Sequence, residues 1–168
     1  ATPEAAQALE GAFINPNLEV KLSALAAMGE NAGEQAKGEI TALLDSLEGP
    51  VRMRTLELVA QLNVLAAGPF LVRRVQSDSF HDLAIEERRQ WLQTICLLKA
   101  SRGESLAVEL LSKRRLLSNE ASEQSRAVAA EALGAYDSSE TIEALQVAAK
   151  QRWGTSATVR DAALKALG

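Results

Sequence analysis

Few side chains in this 168-residue chain have the chemistry of a nucleophile, a base or a metal ligand, and those few are scattered. The single histidine, His81, sits in the polar stretch Ser77-Asp78-Ser79-Phe80-His81-Asp82. One histidine gives a His-rich metal site or a Ser-His-Asp triad little to draw on, so His81 reads as a solvated or locally hydrogen-bonded residue. The single cysteine, Cys96, can form no internal disulfide. With Leu98 nearby on an apolar stretch it reads as a small buried residue rather than a nucleophile, and a reducing compartment is permitted. There is no Cys-x-x-Cys pair and no glycine-rich phosphate loop. Trp91 and Trp153 read as core or edge packing residues. Neither a catalytic residue, a metal nor a cofactor is expected.

Charge is the other resource. The basic runs Arg73-Arg74 and Lys113-Arg114-Arg115 fall toward the ends of helical stretches, where cations complement the helix dipole. Their alternative reading is a basic patch for an acidic partner. A net charge of −4 and an aromatic content of 4% disfavour a general nucleic-acid binder, which needs a basic surface and stacking platforms. No apolar run approaches the ~20 residues of a membrane helix; Gly68-Pro69 interrupts the longest, from Val64 to Val72. No signal peptide is visible, and the chain opens on Ala1 without methionine, as a processed or excised piece would. A cytoplasmic location is the expectation.

The elements that would position these groups are set by an internal repeat. The last stretch, Val159-Arg160-Asp161-Ala162-Ala163-Leu164-Lys165-Ala166-Leu167-Gly168, is a short amphipathic helix closed by glycine. Two clear copies precede it, Val20-Lys21-Leu22-Ser23-Ala24-Leu25-Ala26-Ala27-Met28-Gly29 and Ser125-Arg126-Ala127-Val128-Ala129-Ala130-Glu131-Ala132-Leu133-Gly134. Each keeps a cation at the second place, alanine at the fifth and eighth, Leu or Met at the ninth and glycine at the tenth. Weaker copies open at Val51-Arg52 and Glu87-Arg88, so the starts at 20, 51, 87, 125 and 159 lie 31, 36, 38 and 34 residues apart. A helical period in the thirties implies an α-solenoid of helix pairs.

All four prolines, Pro3, Pro16, Pro50 and Pro69, fall where a helix would begin, since a missing N–H is harmless there. The stripe Ala36, Ile40, Leu43, Leu44 and Leu47 marks the first helix of the second pair. Ser101-Arg102-Gly103-Glu104 and Asp137-Ser138-Ser139-Glu140 read as capping boxes, and Asn119 as a cap. Ten helices in five antiparallel pairs are expected, in one domain spanning 1–168 with approximate repeats 1–30, 31–64, 65–99, 100–135 and 136–168.

The Val-Arg-x-x-Ala-Ala-x-Ala-Leu-Gly pattern resembles the second helix of HEAT repeats, particularly the short bacterial type. The resemblance covers nearly the whole chain; it is specific at 20–29, 125–134 and 159–168 and weak at 51–60 and 87–96, where Thr55 and Trp91 replace the small fifth residue. It implies an all-α, right-handed superhelix with second helices on the concave side, and a binding scaffold rather than an enzyme. It also implies that Lys21, Arg52, Arg88, Arg126 and Arg160 pair with acidic neighbours as a ladder between layers. HEAT-like folds include DNA-repair glycosylases, and short repeats of this type resemble those of chromophore lyases. The first reading needs a basic groove and the second a pigment site, and neither is indicated here.

At ~100° per residue the first, fifth, eighth and ninth places share one face, while the third and seventh point away from the core. The outward places hold Leu22, Ala26, Met53, Glu57, Arg89, Gln93, Ala127, Glu131, Asp161 and Lys165, whose formal charges sum to −1. A groove that follows a phosphate backbone would be consistently basic. The expected partner is therefore another protein or a peptide segment, contacting Leu22, Met53, Glu57, Arg89, Gln93 and Glu131. Leu22 and Met53 are either apolar contacts for it or, if the register drifts, core. Leu9 and Phe13 at one end, and Val159, Leu164 and Leu167 at the other, look insufficiently capped, so the chain is expected to be a module of a longer polypeptide or to self-associate through its ends.

Overall fold

The computed structural model describes residues 11–12, 15, 17–30, 38, 40–100, 102–113, 120–150 and 154–168, the side chains of 28–30 excepted. Every regular element among them is helical. The chain divides into two units, Ala1–Ala67 and Gly68–Gly168.

In the first unit α1 (Leu18–Glu30) packs on α2 (Gly49–Gln61). Between them, helical residues 40–42 tighten into a 3-10 turn, Leu43–Asp45. Ile40 and Leu44 of the expected stripe are buried, but Leu47 is 98% exposed. The helix stops before reaching it: Ser46 turns extended, its N–H bonds Leu43 O at 3.1 Å, and its own carbonyl takes Arg52 Nη1 at 2.7 Å. Pro50 then opens α2 in its first turn, where no N–H is missed.

The second unit has two layers. The second helices α4 (Ile85–Leu97), α6 (Glu120–Leu133) and α8 (Ala157–Leu167) lie side by side, α6 packed against both neighbours. The first helices are α3 (Gly68–Gln76), α5 (Gly103–Ser112) and α7 (Ser139–Lys150); α3 packs on α4, α5 on α6, and α7 on α8. Consecutive helix pairs repeating this contact are consistent with a helical repeat.

The repeat places behave alike in both units. The fifth place is buried in every copy, from Ala24 through Thr55, Trp91 and Ala129 to Ala163. The sixth is buried as well in the first four (Leu25, Leu56, Leu92, Ala130), which widens the expected face. Trp91 fits where alanine otherwise stands because α3 supplies a ring beside it: Phe70 stacks on it at 6.2 Å between centroids. Its indole N–H points to Glu87 Oε1 at 3.4 Å.

Copies without glycine at the tenth place run on. Both α2 and α4 close at the thirteenth place instead, on Asn63 (φ 50°) and Lys99 (φ 46°) in the left-handed region. In each the next N–H reaches back five residues, Val64 to Val59 O at 3.0 Å and Ala100 to Ile95 O at 3.1 Å, a Schellman closure. The expected capping boxes shift. The cap of α7 is Ser138, whose Oγ accepts from Thr141 N at 3.1 Å. For α5 the N-cap position is Arg102, without a side-chain cap bond, while Ser101 and Asn119 lie outside the described residues. Instead of capping its own helix, Glu104 accepts from Ser138 Oγ and from Thr141 Oγ1, the latter at 2.7 Å, tying α5 to the start of α7. These two bonds, Ser138 first, hold the Glu104 carboxyl below the usual glutamate value.

Gly103 begins α5 against α4. A Cβ there would stand 2.5 Å from Ile95 Cγ2, on a β-branched side chain that is itself wholly buried. Gly103→Ala is expected to cost about 1–3 kcal/mol by overpacking, read as a lower urea midpoint. An unchanged midpoint would mean that α5 and α4 are not in this close contact.

Candidate functional site

The residues that could contact a partner are built on the second helices. In the second unit α4, α6 and α8 carry Arg89, Gln93, Glu131, Asp161 and Lys165 at third and seventh places; Gln93, Glu131, Asp161 and Lys165 are exposed and Arg89 half-buried. Ala127, also at a third place, is buried, against expectation: α6 has second helices packed on both sides. Arg89 bridges α4 to α6, donating from Nε to Glu131 Oε2 at 2.7 Å and from Nη1 to Glu86. The bond to Glu86, then that to Glu131, hold the guanidinium still more firmly protonated, so this cation is already matched.

In the first unit Leu22, Met53 and Glu57 are all half-buried, and Glu57 accepts from Arg54 Nη1 at 2.6 Å. Leu22 and Met53 are thus neither core nor freely exposed.

Of the expected basic patch the structure describes Arg73, Arg74 and Lys113. Arg73 is exposed and lies over the Phe70 ring at 5.7 Å. Arg74 is half-buried and donates to Ser79 Oγ at 3.1 Å. Lys113 lines a polar cleft of about 260 Å³ that also contains Asp78, His81 and Glu109, so acidic groups surround it. Arg114 and Arg115 lie outside the described residues, as do Leu9, Phe13 and Trp153.

Of the five second-place cations, Lys21, Arg88 and Arg126 form ties between layers, with more varied partners than carboxylates. Arg52 donates to Ser46 O at 2.7 Å and Arg160 to Thr155 O at 3.0 Å, each in the lead-in to its own helix. Lys21 Nζ reaches Glu48 Oε1 at 2.6 Å, at the lead-in to α2. Arg88 donates to Ala121 O at 2.6 Å, Ser125 Oγ at 2.7 Å and Gln124 Oε1 at 2.8 Å, all in the first turns of α6. No carboxylate is among these partners, and burial lowers the Arg88 pKa. Arg126 donates to Leu111 O at 2.9 Å, Glu123 Oε1 at 2.7 Å, Gly154 O at 2.9 Å and Thr155 Oγ1 at 3.2 Å. Each of these three cations therefore holds the start of the next second helix. Leu111 O, in the last turn of α5, and Gly154 O, ahead of α8, lie where carbonyls lack a ladder partner, and a buried guanidinium with five donors satisfies several acceptors at once.

Sequence reasoning missed the cluster in which His81 takes part. Its Nδ1 lies 3.0 Å from Ser125 Oγ, which also accepts from Arg88 and lies 2.9 Å from Ala121 O. The signal was available: Ser125 and Glu87 occupy first places where Val20, Val51 and Val159 stand in other copies. Ser125 is 1% exposed, so its hydroxyl ties loop to helix and has no route to a substrate. Among the described residues, no group of three or more His, Cys, Asp or Glu is placed to hold a metal ion. Nor, among them, is any helix long and apolar enough to cross a membrane.

Cys96 is buried, and that burial pushes its thiol up to about 11, against a smaller lowering by Tyr136. A thiol reagent at neutral pH is expected to leave the native protein unlabelled and to react at the ordinary rate once it unfolds. Prompt labelling of the folded chain would contradict this placement.

The fold and surface define an all-helical protein with repeat-like pairing of its helices. No protein-family model matches the sequence, and no curated protein is similar to it.

Proposed function

We propose that this chain is a non-catalytic interaction scaffold. In this reading its helix pairs form a right-handed HEAT-like superhelix of about five pairs, and a protein or peptide partner binds along the concave row of second helices. The observation that carries the reading is the alternation on α4, α6 and α8: fifth places buried, seventh places Gln93, Glu131 and Lys165 exposed. Three consecutive helices thereby offer one polar row on a backbone fixed by buried ties. Rigid presentation lowers the entropy lost on binding.

The row favours a partner of mixed polarity. Arg89 and Lys165 are offset by Glu131 and Asp161, and Arg89 is already in ion pairs, so little net positive potential remains for a phosphate backbone. Leu22 and Met53 of the first unit add partly exposed apolar surface of the kind a docked helix or extended peptide covers. A cytoplasmic setting belongs to the same proposal.

The test is affinity capture from the source lysate by the wild type, by a Gln93→Arg, Lys165→Glu pair, by Met53→Glu, and by Gln146→Arg on α7 as a control. A protein retained by the wild type and the control, and at least about tenfold depleted with the row variants at unchanged circular dichroism, is the expected result. Equal recovery by all four would remove the row as the site. Recovery of nucleic acid in place of protein would overturn the functional class.

A further inference from the structure

Two polar stretches, Arg73-Arg74 and Ser77 to Asp82, meet at the end of α3, and the partner row uses neither. Arg74, in the last turn of α3, is half-buried and short of partners. Among the described residues its guanidinium makes one hydrogen bond, from Nη1 to Ser79 Oγ at 3.1 Å, and its Nε–H is buried with no acceptor. By contrast Arg54, Arg89 and Arg126 each hold a carboxylate. A buried donor left unpaired is rare in a folded protein and asks for an explanation.

The hydroxyl protons beside Arg74 can be placed by counting. Ser77 Oγ donates to Arg74 O at 2.7 Å, which uses its one proton. The Ser77 and Ser79 hydroxyl oxygens lie 3.1 Å apart, so Ser79 is the donor in that pair, while its own oxygen accepts from Arg74. Ser77 is half-buried and Ser79 exposed, and the buried Phe80 ring pins the chain directly after them. The more accessible of the two hydroxyls therefore rests against a cation with N–H capacity left over and no carboxylate of its own.

We propose that Ser79 is a phosphorylation site whose phosphate is received by Arg74. The co-reactants are a nucleoside triphosphate and a serine/threonine protein kinase. The Ser79 oxygen bonds to the terminal phosphorus, the bond from that phosphorus to the bridging oxygen breaks, the diphosphate leaves, and the hydroxyl proton passes to the kinase's base. The phosphoserine carries a charge of about −1.5 to −2 at neutral pH and three acceptor oxygens, which take the unused guanidinium donors. Ser77 is able to turn its proton to the phosphate, because Arg74 O keeps the Ser77 N–H at 3.1 Å. Asp78 and Asp82 flank the site with like charge, but both are exposed, so water screens them more than it screens a direct pair with half-buried Arg74. The modified loop is thereby clamped to α3. This site is independent of the partner row.

Mass spectrometry of the chain from its source cells, sampled in growth and in starvation under phosphatase inhibitors, is expected to find phosphate on Ser79. Finding Ser79 only unmodified overturns the site. The role of Arg74 is tested on chain made with phosphoserine at this position. Phosphorus NMR is expected to place the second ionisation of the phosphate about one pH unit lower in the folded chain than in urea, since the guanidinium favours the dianion. Arg74→Gln is expected to erase that difference, Arg74→Lys to keep part of it, and Arg73→Gln to leave it intact, with circular dichroism checking each fold. A phosphate that titrates alike in the folded and unfolded chain, or an Arg74→Gln variant that keeps the full difference, overturns the clamp.

Discussion

Arg126→Met is expected to remove about 3–5 kcal/mol of stability from the second unit, because it strands the buried groups that the guanidinium satisfies. Met keeps most of the apolar stem, so the loss reports the polar network rather than a cavity. Left behind are Leu111 O, Gly154 O, Thr155 Oγ1 and the carboxylate of Glu123. Equilibrium urea unfolding measures the loss; one below about 1 kcal/mol would mark the network as an ordinary surface pair.

The same substitution changes the response to acid. Burial by itself raises the Glu123 pKa, but the N–H of Ser156, the bond from Arg126 and the Ser156 hydroxyl together hold it below the usual 4.5. A carboxyl depressed in the folded state stabilises above its unfolded pKa, and that stability is lost as pH falls through the folded value. Wild-type stability should therefore decline below about pH 4.5, Glu104 contributing in the same direction. Without Arg126 the Glu123 carboxyl titrates higher and the decline begins at a higher pH.

Trp91→Ala is the second large effect, expected at about 3–5 kcal/mol from lost transfer energy and the remaining cavity. The indole is fully buried and stacks on Phe70. The fifth place holds alanine in three other copies, which makes the substitution look mild when only the motif is considered. The neighbouring helix decides otherwise: α3 has shaped itself around the ring, and a methyl in place of the indole would leave that space empty. Thermal unfolding followed by calorimetry gives the loss. A variant as stable as wild type would show that α3 can close onto α4 as the alanine copies do.

How much of this was legible in the sequence differs by level. The period is visible because a helix face repeats with the geometry of the helix, and burial follows at the fifth place in every copy and at the eighth and ninth in the three middle copies. The starts at Gly49-Pro50 and Gly68-Pro69 are visible because proline and glycine act locally. Leu47 was misassigned because the stripe continues in sequence after Ser46 has already broken the helix, a competition between periodicity and local turn bonds. The ladder's positions were legible but its acceptors were not. Carbonyls such as Ala121 O and Gly154 O carry no residue signature. The link from His81 to Ser125 spans 44 residues and becomes legible only once a polar residue in a valine place is read as a request for a partner.

Amide exchange at Ser156 tests most directly the claim beneath the rigid row, that Arg126 secures the start of the next second helix. The Ser156 N–H donates to Glu123 Oε2 at 2.9 Å, and Glu123 is held by Arg126. Residue-resolved exchange is expected to find this amide protected in the wild type and at least about tenfold less protected in Arg126→Met under conditions where both are folded. A Ser156 amide that exchanges in the wild type as fast as an open chain would contradict the tie.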